Sequence, residues 1–281
     1  MPEGIANSAV WAGAPERLDR VLPELGLARS RSRAAELIAA GEVRLDGRVA
    51  TKAGARVGSG ATIAVSGADR YVSRGAHKLV AGLDRFGVDA AGRLALDLGA
   101  STGGFTQVLL ERGAREVLAV DVGHDQLVPE LRADPRVRAV EGCNARELTA
   151  EGLAADTGVA EAPTLVVADL SFISLTLILP AIARVAAPLA ELVLLIKPQF
   201  EVGRTGIRDG IVVDPALRAE AIRTVLGSAA RNGFAVRGLA HSPIAGSHGN
   251  REFLVHLSRG GDADPTEWEA RIDELVSESI D

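Results

Sequence analysis

The chain of 281 residues carries 31 basic and 37 acidic side chains, a formal net charge of −6 and 47% hydrophobic residues. Such length and apolar content suffice for two modest domains and exclude a disordered tail protein. A single cysteine, Cys143, forms no internal bridge and supplies no multi-cysteine zinc cluster, so the composition reads as intracellular and metal-free. The net charge hides an asymmetry: residues 1–80 hold 12 basic and 8 acidic side chains, residues 81–281 hold 19 and 29. Of the 31 basic residues only three are lysines, Lys52, Lys78 and Lys197. Arginine serves wherever any cation would do, and only lysine can lose its proton at accessible pH.

Residues 1–15 contain no basic residue and no apolar core, which excludes a signal peptide and predicts a disordered start. From residue 16 to 66 a small mixed domain is expected. Arg17-Leu-Asp-Arg20 opens a helix, and 30–40 forms a second one with Ala34, Leu37 and Ile38 on one face, ended by Gly41. Strand 43–45, an Asp46-Gly47 turn and a closing strand 61–65 follow. Arg29, Arg31 and Arg33 cluster at the entry to the second helix, whose free backbone N–H groups suit a phosphate. The ordered pattern from Ser32-Arg33 through Gly41, Val43 and Leu45-Asp46-Gly47 resembles the alpha-L RNA-binding module of a small-subunit ribosomal protein, tyrosyl-tRNA synthetases and many pseudouridine synthases. That resemblance implies RNA contacts from Arg17, Arg29, Arg31, Arg33 and Arg44.

Residues 67–72 read as a linker, and 73–281 as a second domain. Strand runs at 94–98, 117–120, 137–140, 165–168, 192–196, 234–239 and 253–257 alternate with helical stretches, which predicts an α/β doubly wound sheet. The apolar stretch 175–196 is interrupted by Pro180, Arg184, Pro188 and Glu191, so a helix, a break and a strand fit it better than a membrane span. Trp268, Ile272, Leu275 and Val276 are spaced as one face of a last helix.

A glycine-rich turn, Asp97-Leu-Gly99-Ala-Ser101-Thr102-Gly103-Gly104-Phe105, follows the first of these strands, and the second ends in Asp121, where an acid grips ribose hydroxyls. It matches neither the dinucleotide fingerprint nor the phosphate loop. Together these residues point to S-adenosylmethionine: Asp97 and the loop around its methionine part, Asp121 on its ribose, and Asn144, after the third strand, near its adenine. Four more stretches stand out in a chain with few aromatics: 72–79 with Lys78, 169–175 with Asp169, 196–203 with Lys197, and 246–253 with Glu252. Asp169 and Lys197 each end a strand run, at the sheet edge that carries the glycine loop.

With these motifs the chain resembles the TlyA family, haemolysin-named ribosomal RNA ribose 2′-O-methyltransferases with an FtsJ-like catalytic domain, from about residue 16 to 257. The resemblance implies a Rossmann-like class I methyltransferase sheet, S-adenosylmethionine as cofactor, ribosomal RNA or a ribosomal subunit as partner, cytidine as target, and a cytoplasmic location. The family's Lys-Asp-Lys-Glu tetrad falls on Lys78, Asp169, Lys197 and Glu252. It implies Lys197 as base or hydroxyl-orienting group, Asp169 as the carboxylate that positions it, and Lys78 and Glu252 as holders of the ribose and the lysine network. Ala76-His77 and Gln107 depart from common family residues, outside the tetrad. Three other readings compete: a pseudouridine-type enzyme acting through Asp19, a membrane-active cytolysin, and an RNA binder with a dead site.

Overall fold

A computed structural model of the chain describes residues 7–28, 30–65, 71–203, 206–207, 209–246, 249–260 and 264–278. The chain divides into two compact units, Met1–Val72 and Ser73–Asp281.

The first unit contains β1 (Asn7–Val10), β2 (Glu16–Arg17), α1 (Leu18–Glu24), α2 (Arg31–Ala39), β3 (Val43–Leu45), β4 (Arg48–Val49), β5 (Arg56–Val57) and β6 (Thr62–Val65). Ser30 caps α2, its hydroxyl accepting from Arg33 N at 3.2 Å, and Gly41 turns the chain out of the helix at φ +72°. Asp46 and Gly47 both take positive φ between β3 and β4, the backbone that a tight hairpin needs. Leu18, Leu22, Leu37, Ile38, Val43 and Ile63 fill a core between the helices and the antiparallel sheet β1-β6-β3-β4. The expected disorder of residues 1–15 is corrected from residue 7 onward. β1 pairs with β6, and Trp11 is buried, its indole N–H donating to Ala14 O at 2.9 Å. The free edge of β6 offers backbone partners, and Ala9 and Trp11 supply the apolar surface that packs the segment onto the core. Residues 1–6 and 66–70, the latter covering most of the expected linker, lie outside the described residues.

The second unit runs α3 (Ala76–Phe86), β7 (Leu94–Leu98), α4 (Gly104–Glu111), β8 (Glu116–Val120), α5 (Pro129–Arg132), β9 (Val137–Val140), α6 (Ala150–Thr157) and β10 (Leu165–Ala168). It continues with α7 (Leu175–Val185), β11 (Glu191–Ile196), α8 (Pro198–Glu201), α9 (Pro215–Arg231), β12 (Phe234–His241), β13 (Phe253–Arg259) and α10 (Glu269–Ser277). Its seven strands lie in the order β12-β13-β11-β10-β7-β8-β9. The four pairings that join β11, β10, β7, β8 and β9 are parallel, and these strands are mostly apolar because helices cover both faces. Leu94, Leu96 and Leu98 of β7 share one core cluster with α7, α9 and α10, where Ile272, Leu275 and Val276 are buried as the spacing predicts. On the other face α3 lies so close that a Cβ on Gly82 would come 2.9 Å from Val193 of β11.

β13 is the exception, antiparallel to both β11 and β12. Only residues 242–252 join β12 to it, with no α-helix among the described ones, and a parallel return needs a crossover of about a dozen residues or more. The reversal has a consequence for the site. Phe253 pairs with Ile196, so the residue just before β13 and the residue just after β11 meet at one edge.

Candidate active site

Four charged side chains converge on that edge, each delivered by a different element. Lys197 follows β11 as the N-cap of α8, Asp169 follows β10, Glu252 precedes β13, and Lys78 lies in the first turn of α3. Lys197 Nζ lies 2.6 Å from Asp169 Oδ1, and Lys78 Nζ bridges Asp169 Oδ2 at 3.3 Å and Glu252 Oε2 at 2.7 Å. The result is an unbroken line of alternating charge, Lys197–Asp169–Lys78–Glu252. Lys78, Lys197 and Glu252 are buried, and Asp169 is partly exposed at the centre. Lys197 also donates to Ser171 Oγ at 3.0 Å. Burial pushes the Glu252 carboxyl up from its ordinary value, against the pull of Lys78. Gly246 is required beside it, since a Cβ there would come 2.0 Å from Glu252 Oε1.

A cavity of about 530 Å³ adjoins this line. Of the residues expected around the cofactor, Gly99, Ser101, Asp121 and Asn144 line it, together with Asp169 of the charged line. Gly99 at φ +82° lets the β7 loop approach the Asp169 carbonyl, which a Cβ would reach at 3.0 Å. Asp121 organises the loop: Ser101 N donates to its Oδ2 at 2.8 Å and Gly123 N to its Oδ1 at 2.7 Å. The remaining lone pairs of both oxygens are available to a ligand. Asn144 caps a short turn, its Oδ1 accepting from Arg146 N at 3.2 Å.

Thr102, Gly103, Gly104 and Phe105 do not line the cavity; they shape the loop behind it. Gly103 backs onto Leu127 and Leu131, Gly104 onto Ser73, and Phe105 is buried. Asp97 is fully buried, its Oδ2 accepting from Thr106 Oγ1 at 2.6 Å and its Oδ1 without a hydrogen bond among the described residues. Burial raises its pKa to about 7, with the carboxylates of Asp169 and Asp121 adding to the shift. Three residues escaped sequence reasoning. Ser171 and Glu201 lie inside stretches that stood out but carried no assigned role, and Gln126, on the cavity wall, left no signal. Phe172 also lines the cavity, 92% exposed at φ +64°, its ring 5.3 Å from that of Phe200.

In the N-terminal unit the arginines are partly committed. Arg17 Nε and Arg31 Nε hold the two oxygens of Asp19 at 3.0 and 2.9 Å, Arg33 pairs with Glu36 at 2.9 Å, and Arg44 donates to Gly47 O at 3.2 Å. The hydrogen bond from Arg17, seconded by Arg31, lowers the Asp19 pKa to about 2. Both oxygens of this buried carboxylate are thus engaged by arginines of the same unit. Arg29 and, in the Glu252 stretch, Ser247 and His248 lie outside the described residues. Among the described residues no helix is long and apolar enough to cross a membrane, and no His, Cys, Asp and Glu cluster could hold a metal ion.

Comparison with known proteins defines the class first. Residues 71–259 match the model of the FtsJ-like methyltransferases, and residues 16–63 match the S4 domain. The chain is 48% identical over 244 residues, 86% of its length and 89% of the relative's, to the 16S/23S rRNA (cytidine-2′-O)-methyltransferase TlyA of Mycobacterium tuberculosis. It is 39% identical to Hemolysin A of Brachyspira hyodysenteriae, covering 86% of this chain and 99% of that one. Among solved structures, a hemolysin-named protein of Streptococcus thermophilus superposes with a TM-score of 0.73 at 39% identity, covering 95% of this chain and 96% of that one. The chain belongs to the TlyA family of FtsJ-like methyltransferases.

Proposed function

We propose that this protein transfers a methyl group from S-adenosylmethionine to the 2′-hydroxyl of a cytidine ribose in ribosomal RNA of the small subunit, the large subunit or both. The observation that carries the reading is the line Lys197–Asp169–Lys78–Glu252 beside a cavity of about 530 Å³. A cavity of that size suits a cofactor. Its lining also suits this one, with Asp121 for ribose hydroxyls, Asn144 for the base, and the Gly99 backbone beside Asp169 of the charged line. When bound, S-adenosylmethionine supplies an electrophilic methyl on a sulfonium.

The residues of the chain do the rest. A ribose hydroxyl is a weak nucleophile at neutral pH, so its proton must leave as the new bond forms. Lys197 Nζ, entering the step as the neutral amine, takes that proton and becomes the ammonium, and Asp169, at 2.6 Å, fixes the amine's direction and balances the charge it gains. Ser171 holds the same amine from a second side at 3.0 Å. Lys78 neutralises Asp169, and Glu252 holds Lys78 in place. Phe172, on the cavity rim, offers its exposed ring to a nucleobase as a stacking face. The S4 domain supplies a second RNA contact, and substrate of this kind places the enzyme in the cytoplasm. The names of the M. tuberculosis relative and of a 23S rRNA (cytidine-2′-O)-methyltransferase TlyA of Campylobacter jejuni, 36% identical over 188 residues, support cytidine as target.

The test is transfer of a radiolabelled methyl group from S-adenosylmethionine to purified 30S and 50S subunits, followed by mapping of 2′-O-methyl positions. Labelled 2′-O-methylcytidine in either subunit is expected. No incorporation into any ribosomal RNA overturns the proposal.

A further inference from the structure

The line of charges joins two loops, and a separate carboxylate joins the same two loops from behind. Glu201 ends α8, four residues after Lys197. Its Oε2 accepts from Ser174 Oγ at 2.5 Å and its Oε1 from Leu175 N at 2.9 Å. Ser174 is the N-cap of α7 and closes the segment 169–174, which carries Asp169, Ser171 and Phe172. The turn after β11 and the turn after β10 are therefore fastened twice: through Lys197 on the side of the cavity, and through Glu201 at the foot of α7.

The cost of this arrangement points to a purpose. α7 has its own cap, because Ser174 Oγ accepts from Thr176 N at 3.1 Å, so the helix does not need Glu201 in order to start. Glu201 is largely buried, and the loss of water around it pushes its carboxyl up, against the two hydrogen bonds that pull it down. Its bond to Leu175 N adds to a cap that Ser174 already supplies, while a rigid cross-link between two active-site turns serves a transfer that requires in-line geometry.

We propose that Glu201 is a positioning residue for methyl transfer, fixing the Lys197 turn against the Asp169–Ser174 segment so that the amine of Lys197 faces the hydroxyl it must deprotonate. The inference rests on the methyltransferase reading given above. Glu201 touches neither the cavity of about 530 Å³ nor the charged line, so its removal leaves cofactor binding intact while the transfer step suffers.

Two variants test this, Glu201→Ala and Glu201→Gln, each assayed with ribosomal subunits and normalised to the number of S-adenosylmethionine sites titrated by calorimetry. Glu201→Ala is expected to lower kcat per cofactor site by about 10- to 100-fold, with the dissociation constant of S-adenosylmethionine and the KM for subunits within about threefold of wild type. Glu201→Gln keeps an acceptor for Leu175 N and should recover part of the loss, and it serves as the reporter if the alanine variant fails to fold. A purely structural role lowers the titrated site number or the melting temperature and leaves kcat per site unchanged. Unchanged kcat per site in the variants that fold, beside an active wild type, overturns the inference. An inactive wild type instead overturns the methyltransferase reading itself.

Discussion

Each half of the molecule contains an aspartate held between two cations, and the two differ in kind. In the N-terminal unit Asp19 lies between Arg17 and Arg31; in the catalytic unit Asp169 lies between Lys78 and Lys197. The contact distances are alike, 2.9 and 3.0 Å in the first case, 2.6 and 3.3 Å in the second. Guanidinium groups stay charged at any accessible pH and grip a carboxylate through a planar fork, so the first arrangement is a permanent fastening. Ammonium groups can part with a proton, so the second can do chemistry. A chain that uses 28 arginines and only three lysines has placed two of the lysines on one carboxylate.

Replacing Lys197 should break the comparison most sharply. Lys197→Ala and Lys197→Arg are both expected to lower methyl transfer by about 10³-fold or more, with S-adenosylmethionine still bound as measured by calorimetry. Arg31→Lys, the reverse exchange at Asp19, should leave kcat within about threefold, because a lysine still neutralises that carboxylate. Activity in Lys197→Arg would show that a fixed cation is enough. Asp169→Asn comes next, with an expected loss of about 10²-fold in kcat, since the amide keeps the shape but cannot balance the charge on Lys197.

Asp97 sharpens the contrast from another side, as a buried carboxylate with no cation at all. Its folded pKa of about 7 lies above the ordinary carboxylate value, so the native state holds the extra proton between about pH 4 and 7. Stability should therefore fall as pH rises through that window, by up to about 1.4 kcal/mol per pH unit at the steepest, and level off above it. Denaturant titrations at pH 5 and pH 8 should show the slope in wild type and a shallower one in Asp97→Asn. Asp19 predicts the opposite sign. Its pKa of about 2 lies below the ordinary value, so its contribution is present above about pH 4 and is lost as pH falls towards 2. Asp19→Asn should weaken the N-terminal unit at neutral pH, flatten its acid transition and change kcat least of all the variants described.

The strands of the catalytic unit were legible because each is a short, mostly apolar run bounded by turn residues or charge. The runs 94–98, 137–140 and 165–168 coincide with β7, β9 and β10. Ser30 and Gly41 marked the ends of α2 for the same local reason. β1 was not legible, since its apolar patch is too short to signal a strand and is held by an edge that lies more than fifty residues away in the chain. The glycine loop was found as a whole, but its inner side was not: only the path of the backbone decides that Gly99 and Ser101 face the cavity while Gly103 and Phe105 face the core.

The sequence by itself determined the parts: two domains, most of the strands and helices in order, the module at 16–66, the loop at 97–105 and, as candidates through resemblance, Lys78, Asp169, Lys197 and Glu252. These follow from local periodicity and from motifs a few residues long. Tertiary structure alone decided who meets whom. The reversal of β13 brings Glu252 to Lys78, the approach of the β7 and β10 loops closes the cavity, and Asp19 gathers Arg17 and Arg31 onto one carboxylate. Those outcomes depend on backbone pairing and burial between residues far apart in the chain, and no local pattern encodes a distance of 2.6 Å between side chains 28 positions apart.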